Sequence, residues 1–219
     1  MIKGAIFDMD GTLIDSMQMW RTLPQRYLRR LGLEPREDVR EKNKKRTFQG
    51  LVEELREYYG IDRSQEQVER EMMQEVAAFY AAEVEVKPGV LPALEALKQR
   101  GVRLCIATAT DRSLALIALE RCGLLDYFER LFCCSEVGAG KNDPAIFRQA
   151  MESLGTNREN TLIFEDAVYA IRTAKADGFR VAGVFDRFET AGEEVRRLSD
   201  FYVEDYRKLD EILGAFEKN

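Results

Sequence analysis

Two closely spaced carboxylates stand where the first apolar run of the chain ends. Asp8 and Asp10 follow Gly4–Phe7, a run typical of a buried strand, and a Gly-Thr pair comes directly after them. Neighbouring carboxylates repel each other, and burial beside a strand makes their charge more costly. A divalent cation offsets both effects, and Mg²⁺ accepts one or two carboxylates together with a substrate phosphate. We therefore interpret this segment as a magnesium site rather than as an acidic turn.

A second acidic pair, Glu165–Asp166, directly follows the apolar run Thr161–Phe164. The carboxyl ends of parallel strands meet at one edge of a sheet, so this pair can complete the same metal site if its strand neighbours the first. The alternative is a helix N-cap at Asp166, because a helical pattern starts at Ala167. Taken alone, this pair supports both interpretations equally.

Two further positions suit a bound phosphate at that edge. Thr108 follows the apolar run Val102–Ala107 and offers a hydroxyl beside the backbone N–H of Ala109. Lys141 ends the sequence G-A-G-K between a predicted strand and a predicted helix, but Asn142 follows it where a P-loop needs Ser or Thr, which excludes that type of nucleotide site. Considered singly, a strand-end threonine and a solvated loop lysine remain the simpler interpretations.

The composition excludes several other kinds of active site. The chain of 219 residues contains no histidine, so Ser-His-Asp and Cys-His triads and histidine zinc sites are ruled out. Lys and Arg number 33 against 39 Asp and Glu, which gives a net charge of −6 and argues against a nucleic-acid partner. Acid–base chemistry must therefore come from carboxylates, lysine, tyrosine or cysteine.

The cysteines and the N-terminus bear on the cellular compartment. The four cysteines have no C-x-x-C spacing and lie in or beside apolar segments, which predicts buried thiols in a reducing compartment. The N-terminal segment carries carboxylates where a signal peptide would be apolar, and no later run approaches ~18 apolar residues. We expect a cytoplasmic protein without a membrane partner; the sequence leaves the oligomeric state open, with a monomer favoured.

The elements that position these residues alternate along most of the chain. Strands separated by helical segments of ~10 residues predict right-handed βαβ units and a doubly wound, parallel, Rossmann-like α/β sheet. The predicted strands are Gly4–Phe7, Val102–Ala107, Leu131–Cys134, Thr161–Phe164, Val181–Phe185 and Tyr202–Val203. The predicted helices that follow residue 87 are Leu91–Gln99, Leu114–Arg121, Ala145–Leu154, Ala167–Ala176 and about Tyr206–Phe216.

One long segment interrupts this alternation. From Ser16 to Glu85 the pattern is helical, without a clear strand, and Gly32 and Gly60 are the predicted helix ends. We therefore predict an α/β core of residues 1–15 and 87–219 with an inserted helical domain of residues 16–86.

Four motifs, in order along the chain, carry a resemblance to a known family. They are D-M-D-G-T-L at Asp8–Leu13, the strand-end Thr108, the G-K at Lys141 before a helix start with Pro144, and E-D at Glu165–Asp166. Together, over about residues 2 to 187, they resemble the haloacid dehalogenase (HAD) superfamily of aspartyl-nucleophile phosphohydrolases. The predicted helical insertion resembles the cap domain that part of this family carries between its first and second motifs.

The resemblance implies a role for each motif residue. Asp8 would be the nucleophile and Asp10 the general acid and base. Mg²⁺ would be held by the Asp8 side chain, the Asp10 carbonyl and Asp166, with Glu165 as an additional ligand.

The remaining motif residues would bind the phosphoryl group. Thr108, the Ala109 N–H and Lys141 would balance its negative charge. None of these roles needs a histidine.

The charge of the predicted cap is split along the chain. Arg21 to Arg46 carries a net charge of +6, and Glu53 to Glu85 carries −7. Solvated helix faces are the simpler interpretation. The alternative is a basic residue that holds a second anionic group of the substrate, for which the candidates are Lys42, Lys44, Lys45 and Arg46.

These inferences predict a Mg²⁺-dependent phosphatase acting on a small phosphorylated metabolite, with a sugar phosphate as one candidate. A phosphotransferase resembling β-phosphoglucomutase is the first alternative, although such enzymes usually carry a cap-side histidine that this chain lacks. The second alternative, of a different class, is a non-catalytic phospho-acceptor domain that resembles a response-regulator receiver.

Overall fold

The computed structural model describes residues 1–36 and 47–218, which form two compact units. One unit comprises residues 1–16 together with those from Val84 onward, and the other comprises Met17–Glu83. The four basic residues at positions 42, 44, 45 and 46 that the sequence offers as substrate contacts lie outside the described residues.

The first unit is built on a six-stranded sheet. Its strands are β1 (Gly4–Phe7), β2 (Arg103–Thr108), β3 (Arg130–Cys133), β4 (Thr161–Glu165), β5 (Arg180–Val184) and β6 (Phe201–Val203). Their order is β3-β2-β1-β4-β5-β6, and every neighbouring pair is parallel. The predicted fold class is confirmed. From β1 the chain adds β2 and β3 on one side and then β4, β5 and β6 on the other. Parallel sheets of this kind bind ligands at the point where the order changes, here between β1 and β4.

Helices alternate with these strands. The helices of this unit are α4 (Val90–Gln99), α5 (Arg112–Arg121), α6 (Cys134–Val137), α7 (Ala145–Ser153), α8 (Val168–Ala176), α9 (Gly192–Leu198) and α10 (Leu209–Lys218). On one face of the sheet, Ile6 and Ile163 belong to a buried cluster with Phe147 of α7 and Ile171 of α8. Because both faces are covered, the central strands are continuous apolar runs, which is why the sequence reveals them.

The second unit contains the helices α1 (Met17–Arg30), α2 (Phe48–Tyr59) and α3 (Gln65–Ala82). Helix α2 ends at Gly60, whose φ of 61° is the left-handed conformation typical of a helix C-cap. Ser64 and Gln67 form a capping box at the start of α3. The Trp20 indole donates to the Tyr80 hydroxyl at 3.0 Å within this unit.

The segments that lead into and out of Met17–Glu83 pair with each other inside the first unit. Ile14 and Val86 form an antiparallel bridge, the Asp15 N–H donates to the Glu85 carbonyl at 2.9 Å, and the Lys87 N–H donates to the Leu13 carbonyl at 2.9 Å. We call Leu13–Asp15 with Glu85–Lys87 the connecting ribbon. The ribbon begins at the residue after Asp8–Thr12, so its hydrogen bonds hold the end of that segment in place.

Two smaller expectations concern cysteines and membranes. All four cysteines are free thiols; Cys105 and Cys133 are buried as expected, whereas Cys122 and Cys134 are only partly buried. Within the described ranges, no helix has the length and apolar character that crossing a membrane requires.

Candidate active site

The carboxyl ends of β1 and β4 bring the two acidic pairs together. The Asp8 N–H donates to the Phe164 carbonyl at 2.9 Å, which places Asp8 beside the end of β4. Asp8, Glu165 and Asp166 are buried, and one carboxylate oxygen from each lies within 4.8 Å of the others. We call these three residues the acidic cluster.

Lys141 lies against the acidic cluster. Its ammonium donates to the Asp8 carboxylate and, at 2.7 Å, to the Glu165 carboxylate, and the residue is 3% exposed. Burial alone would lower the pKa of Lys141, but the carboxylates of Asp8 and Glu165 outweigh it and raise that pKa. The lysine therefore stays charged and neutralises one of three neighbouring carboxylates.

The remaining negative charge is costly without a cation. Burial, opposed by Lys141 and reinforced by Glu165 and Asp10, raises the pKa of Asp8 to about 7. Burial and the charges of Glu165 and Asp8 also raise the pKa of Asp166 well above its usual range. A compact set of hard oxygens with excess negative charge is what a divalent cation such as Mg²⁺ requires, so these residues fit the implied metal.

Asp10 is held by two hydroxyls. The Ser16 Oγ donates to its Oδ1 at 2.6 Å, and the Thr110 Oγ1 donates to its Oδ2 at 2.7 Å. Sequence reasoning missed Ser16 and Thr110 as contacts of this carboxylate. Hydroxyl residues are common at strand and helix ends, and Thr110 is 100 residues from Asp10, so no sequence signal singled it out.

The candidate phosphate ligands lie at the end of β2. Thr108 is its last residue and is buried, and its hydroxyl oxygen accepts the Thr110 N–H at 3.0 Å, while the adjoining Ala109 is exposed. Since β2 pairs with β1, this end of the strand lies at the same sheet edge as Asp8.

The helix-cap interpretation of Asp166 is wrong. The helix that follows begins at Val168, its N-cap position is Ala167, and no side chain caps it. Asp166 instead accepts a hydrogen bond from the Thr12 Oγ1 at 3.2 Å, which ties it to the loop after β1.

Comparisons with known proteins give a family match and several similar proteins. Residues 2–178 match the family of haloacid dehalogenase-like hydrolases. A phosphorylated carbohydrates phosphatase of Thermotoga maritima is 30% identical over 189 residues, which cover 84% of this chain and 85% of that protein. A phosphoglycolate phosphatase of Rhodospirillum rubrum is 30% identical over 223 residues, which cover 98% of this chain and 92% of that protein.

A solved structure extends the likeness to the fold. The crystal structure of a candidate β-phosphoglucomutase from Thermotoga maritima has a TM-score of 0.84 to this chain at 26% identity. The alignment covers 98% of this chain and 99% of that one.

Proposed function

We propose that this chain, which belongs to the haloacid dehalogenase-like hydrolase family, is a phosphatase that hydrolyses a small phosphorylated metabolite in a Mg²⁺-dependent reaction through an aspartyl-phosphate. The observation that carries the proposal is the acidic cluster at the β1–β4 edge, with Lys141 against it and Asp10 beside it. Inorganic phosphate release from a panel of sugar, nucleotide and short-acid phosphates, with Mg²⁺ and with EDTA, tests it.

In this proposal the metal ligands are the Asp8 and Asp166 carboxylates and the Asp10 backbone carbonyl, with Glu165 as an additional ligand. Both Glu165 oxygens already accept hydrogen bonds, from Lys141 at 2.7 Å and from the Ala167 N–H at 3.1 Å, which supports its secondary place. When bound, Mg²⁺ supplies positive charge to the transferring phosphoryl group.

Asp8 and Asp10 have different roles in the proposed reaction. A carboxylate oxygen of Asp8 attacks phosphorus, the bond to the ester oxygen breaks, and Asp10 gives its proton to that oxygen. Asp10 then takes a proton from water, whose oxygen attacks phosphorus and frees Asp8. The hydroxyls of Ser16 and Thr110 hold both Asp10 oxygens, so the carboxyl is oriented before the substrate arrives.

The phosphoryl group is bound at the ends of β1 and β2. The Thr108 hydroxyl accepts one hydrogen bond from Thr110, which leaves its proton to donate to a phosphoryl oxygen. The exposed Ala109 offers its N–H, and Lys141 balances charge while it holds Asp8.

The organic part of the substrate is proposed to be a sugar or a short acid. The names of the two relatives, a phosphorylated carbohydrates phosphatase and a phosphoglycolate phosphatase, support this range. The proposed cap, residues 16–86, would select within it, and a contact from positions 42, 44, 45 or 46 to a second anionic group remains a prediction.

Hydrolysis is favoured over phosphoryl transfer between sugar positions. The likeness to a candidate β-phosphoglucomutase keeps transfer as the second candidate, but the chain has no histidine for the cap-side position that such mutases use. Incubation with β-glucose 1-phosphate separates the two, because hydrolysis releases phosphate and transfer yields glucose 6-phosphate. The family match and the named phosphatases favour an enzyme over a receiver-like domain.

Replacing Asp10 by Asn is expected to lower kcat for phosphate release by about 10²- to 10⁴-fold, the usual contribution of a general acid or base. The amide keeps the shape but neither gives nor takes the proton. Asp15→Asn is a matched control, because the Asp15 side chain is 38% exposed and pairs with Arg187 on the surface. A kcat for Asp10→Asn equal to that of the control would remove Asp10 from the proposed mechanism.

Mg²⁺ is expected to raise the melting temperature of the wild type by several degrees and that of Asp166→Asn much less. A ligand at about 100 times its Kd adds about 2.7 kcal/mol to the free energy of unfolding. Scanning fluorimetry in EDTA and in Mg²⁺ measures the increment. Asp200→Asn, which weakens a surface pair with Lys175, should keep the full increment. Equal increments in both variants would show that Asp166 is not a ligand.

A further inference from the structure

Lys87 ends the connecting ribbon, and its side chain reaches the turn that follows Asp10. Its ammonium donates to the Gly11 carbonyl, to the Phe185 carbonyl at 2.6 Å and to the Asp186 Oδ2 at 3.1 Å. A lysine ammonium has three donors, and each of them has an acceptor here. The Lys87 and Asp186 side chains are only 14% and 1% exposed, so water competes little for these contacts.

Two further contacts hold Lys87 in place, one made by its own backbone and one made by its partner Asp186. The Lys87 backbone N–H donates to the Leu13 carbonyl at 2.9 Å within the ribbon. Asp186, which follows β5, accepts the Phe188 N–H on its other oxygen at 2.8 Å. The ammonium is therefore held from the ribbon and from the β5 end, and its bond to Gly11 is a fixed support rather than a flexible surface contact.

Gly11 lies between a residue whose carbonyl is a proposed metal ligand and a residue that contacts another proposed ligand. Gly11 has a φ of 82°, a conformation that residues other than glycine rarely adopt. The residue before it is Asp10, whose carbonyl is a proposed metal ligand, and the residue after it is Thr12, which donates to Asp166. A charged donor on the Gly11 carbonyl thus holds the Gly11–Thr12 peptide, which comes directly after the peptide that contains the Asp10 carbonyl.

We propose that Lys87 is a positioning residue, which holds the Asp10–Thr12 turn in the geometry that the reaction needs. This inference rests on the proposed phosphatase function. Lys87 lies outside the four sequence motifs. Asp186 is the counter-charge of its buried ammonium, which the Gly11 and Phe185 carbonyls also hold in place.

Three variants separate positioning from a merely structural role. Lys87→Met removes the hydrogen bond to Gly11 but leaves Asp186 buried and unpaired. Asp186→Asn keeps the contacts of Lys87 to the Gly11 and Phe185 carbonyls. The double variant, Lys87→Met with Asp186→Asn, leaves no buried charge unpaired. We expect Lys87→Met and the double variant to lose about 10- to 100-fold in kcat, with KM changed by less than about 3-fold. Asp186→Asn should lose no more than about 3-fold, and the double variant should unfold at a higher temperature than Lys87→Met.

Hydrogen–deuterium exchange in the metal-free protein gives a second readout that does not depend on turnover. The backbone amides of residues 9–14 should exchange about 10-fold faster in the double variant than in the wild type. Lys175→Met is the matched control, because it breaks a pair with Asp200 that is about one-third exposed and far along the chain, and it should leave this exchange unchanged.

The outcomes distinguish the inference from the function it rests on. A double variant with wild-type kcat and wild-type exchange at residues 9–14 overturns the role of Lys87. A wild type that releases phosphate from no ester overturns the proposed function, and the exchange measurement then decides by itself whether Lys87 holds the turn. If Lys87→Met does not fold, the double variant carries both measurements.

Discussion

Asp8→Asn is expected to reduce the rate of phosphate release by about 10⁴-fold or more, which is the usual effect of removing a catalytic nucleophile. The amide cannot form the acyl-phosphate bond, and it removes one of the carboxylates proposed to hold the metal. Steady-state release of phosphate from an aryl phosphate with Mg²⁺ measures the loss. Asp15→Asn serves again as the control, and equal turnover by Asp8→Asn and wild type would exclude an aspartyl-phosphate at this position.

The same variant should be more stable than the wild type in EDTA. Burial raises the pKa of Asp8 from 3.8 to about 7 in the folded protein, so the wild type loses stability as the pH rises between these values and Asp8 must ionise. Asparagine never ionises. The difference in melting temperature should therefore grow from about pH 4 to pH 7 and then level off, and it corresponds to a few kcal/mol at most.

This pair of results distinguishes a nucleophile from a structural residue. A variant that loses activity because it is misfolded would also melt at a lower temperature, whereas Asp8→Asn is expected to lose activity and gain stability in EDTA. A lower melting temperature across the whole pH range would mean that the bond from Lys141 outweighs the burial cost of the Asp8 charge.

The strands and the motif residues were predictable because their physical causes are local. A strand covered on both faces must be apolar throughout, so Gly4–Phe7 and Thr161–Phe164 are visible as unbroken runs. The chain turns at the carboxyl ends of these strands and leaves polar residues directly after the runs, which is where Asp8 and the pair Glu165–Asp166 lie.

The contacts between distant segments were not predictable in the same way. No local pattern in the sequence predicts that β4 pairs with β1. The proximity of Asp8 and Glu165 depends on that strand order. Hydroxyl and lysine residues are common in loops, so nothing marked Thr110 as a partner of Asp10 or Lys87 as a partner of Gly11. Such pairings depend on distances that only the folded chain sets.

Lys141 contributes both to the stability of the protein and to the proposed reaction. Lys141→Met is therefore expected to lower both the free energy of unfolding and the rate of phosphate release. Without the ammonium, three buried carboxylates face one another, and the metal-free protein should lose about 3–5 kcal/mol in its free energy of unfolding. Urea unfolding in EDTA measures this loss. Lys175→Met, which breaks a pair whose side chains are about one-third exposed, should cost no more than about 1 kcal/mol.

Mg²⁺ should then restore part of the stability of Lys141→Met but not its activity. A divalent cation neutralises the acidic cluster, so the stabilisation by Mg²⁺ should be larger in the variant than in the wild type. Phosphate release should stay about 10²- to 10³-fold below wild type, because the charge that orients Asp8 and offsets the phosphoryl group is gone. Full activity of Lys141→Met in Mg²⁺ would mean that the lysine serves only the metal-free protein, and the role in phosphoryl binding would have to be given up.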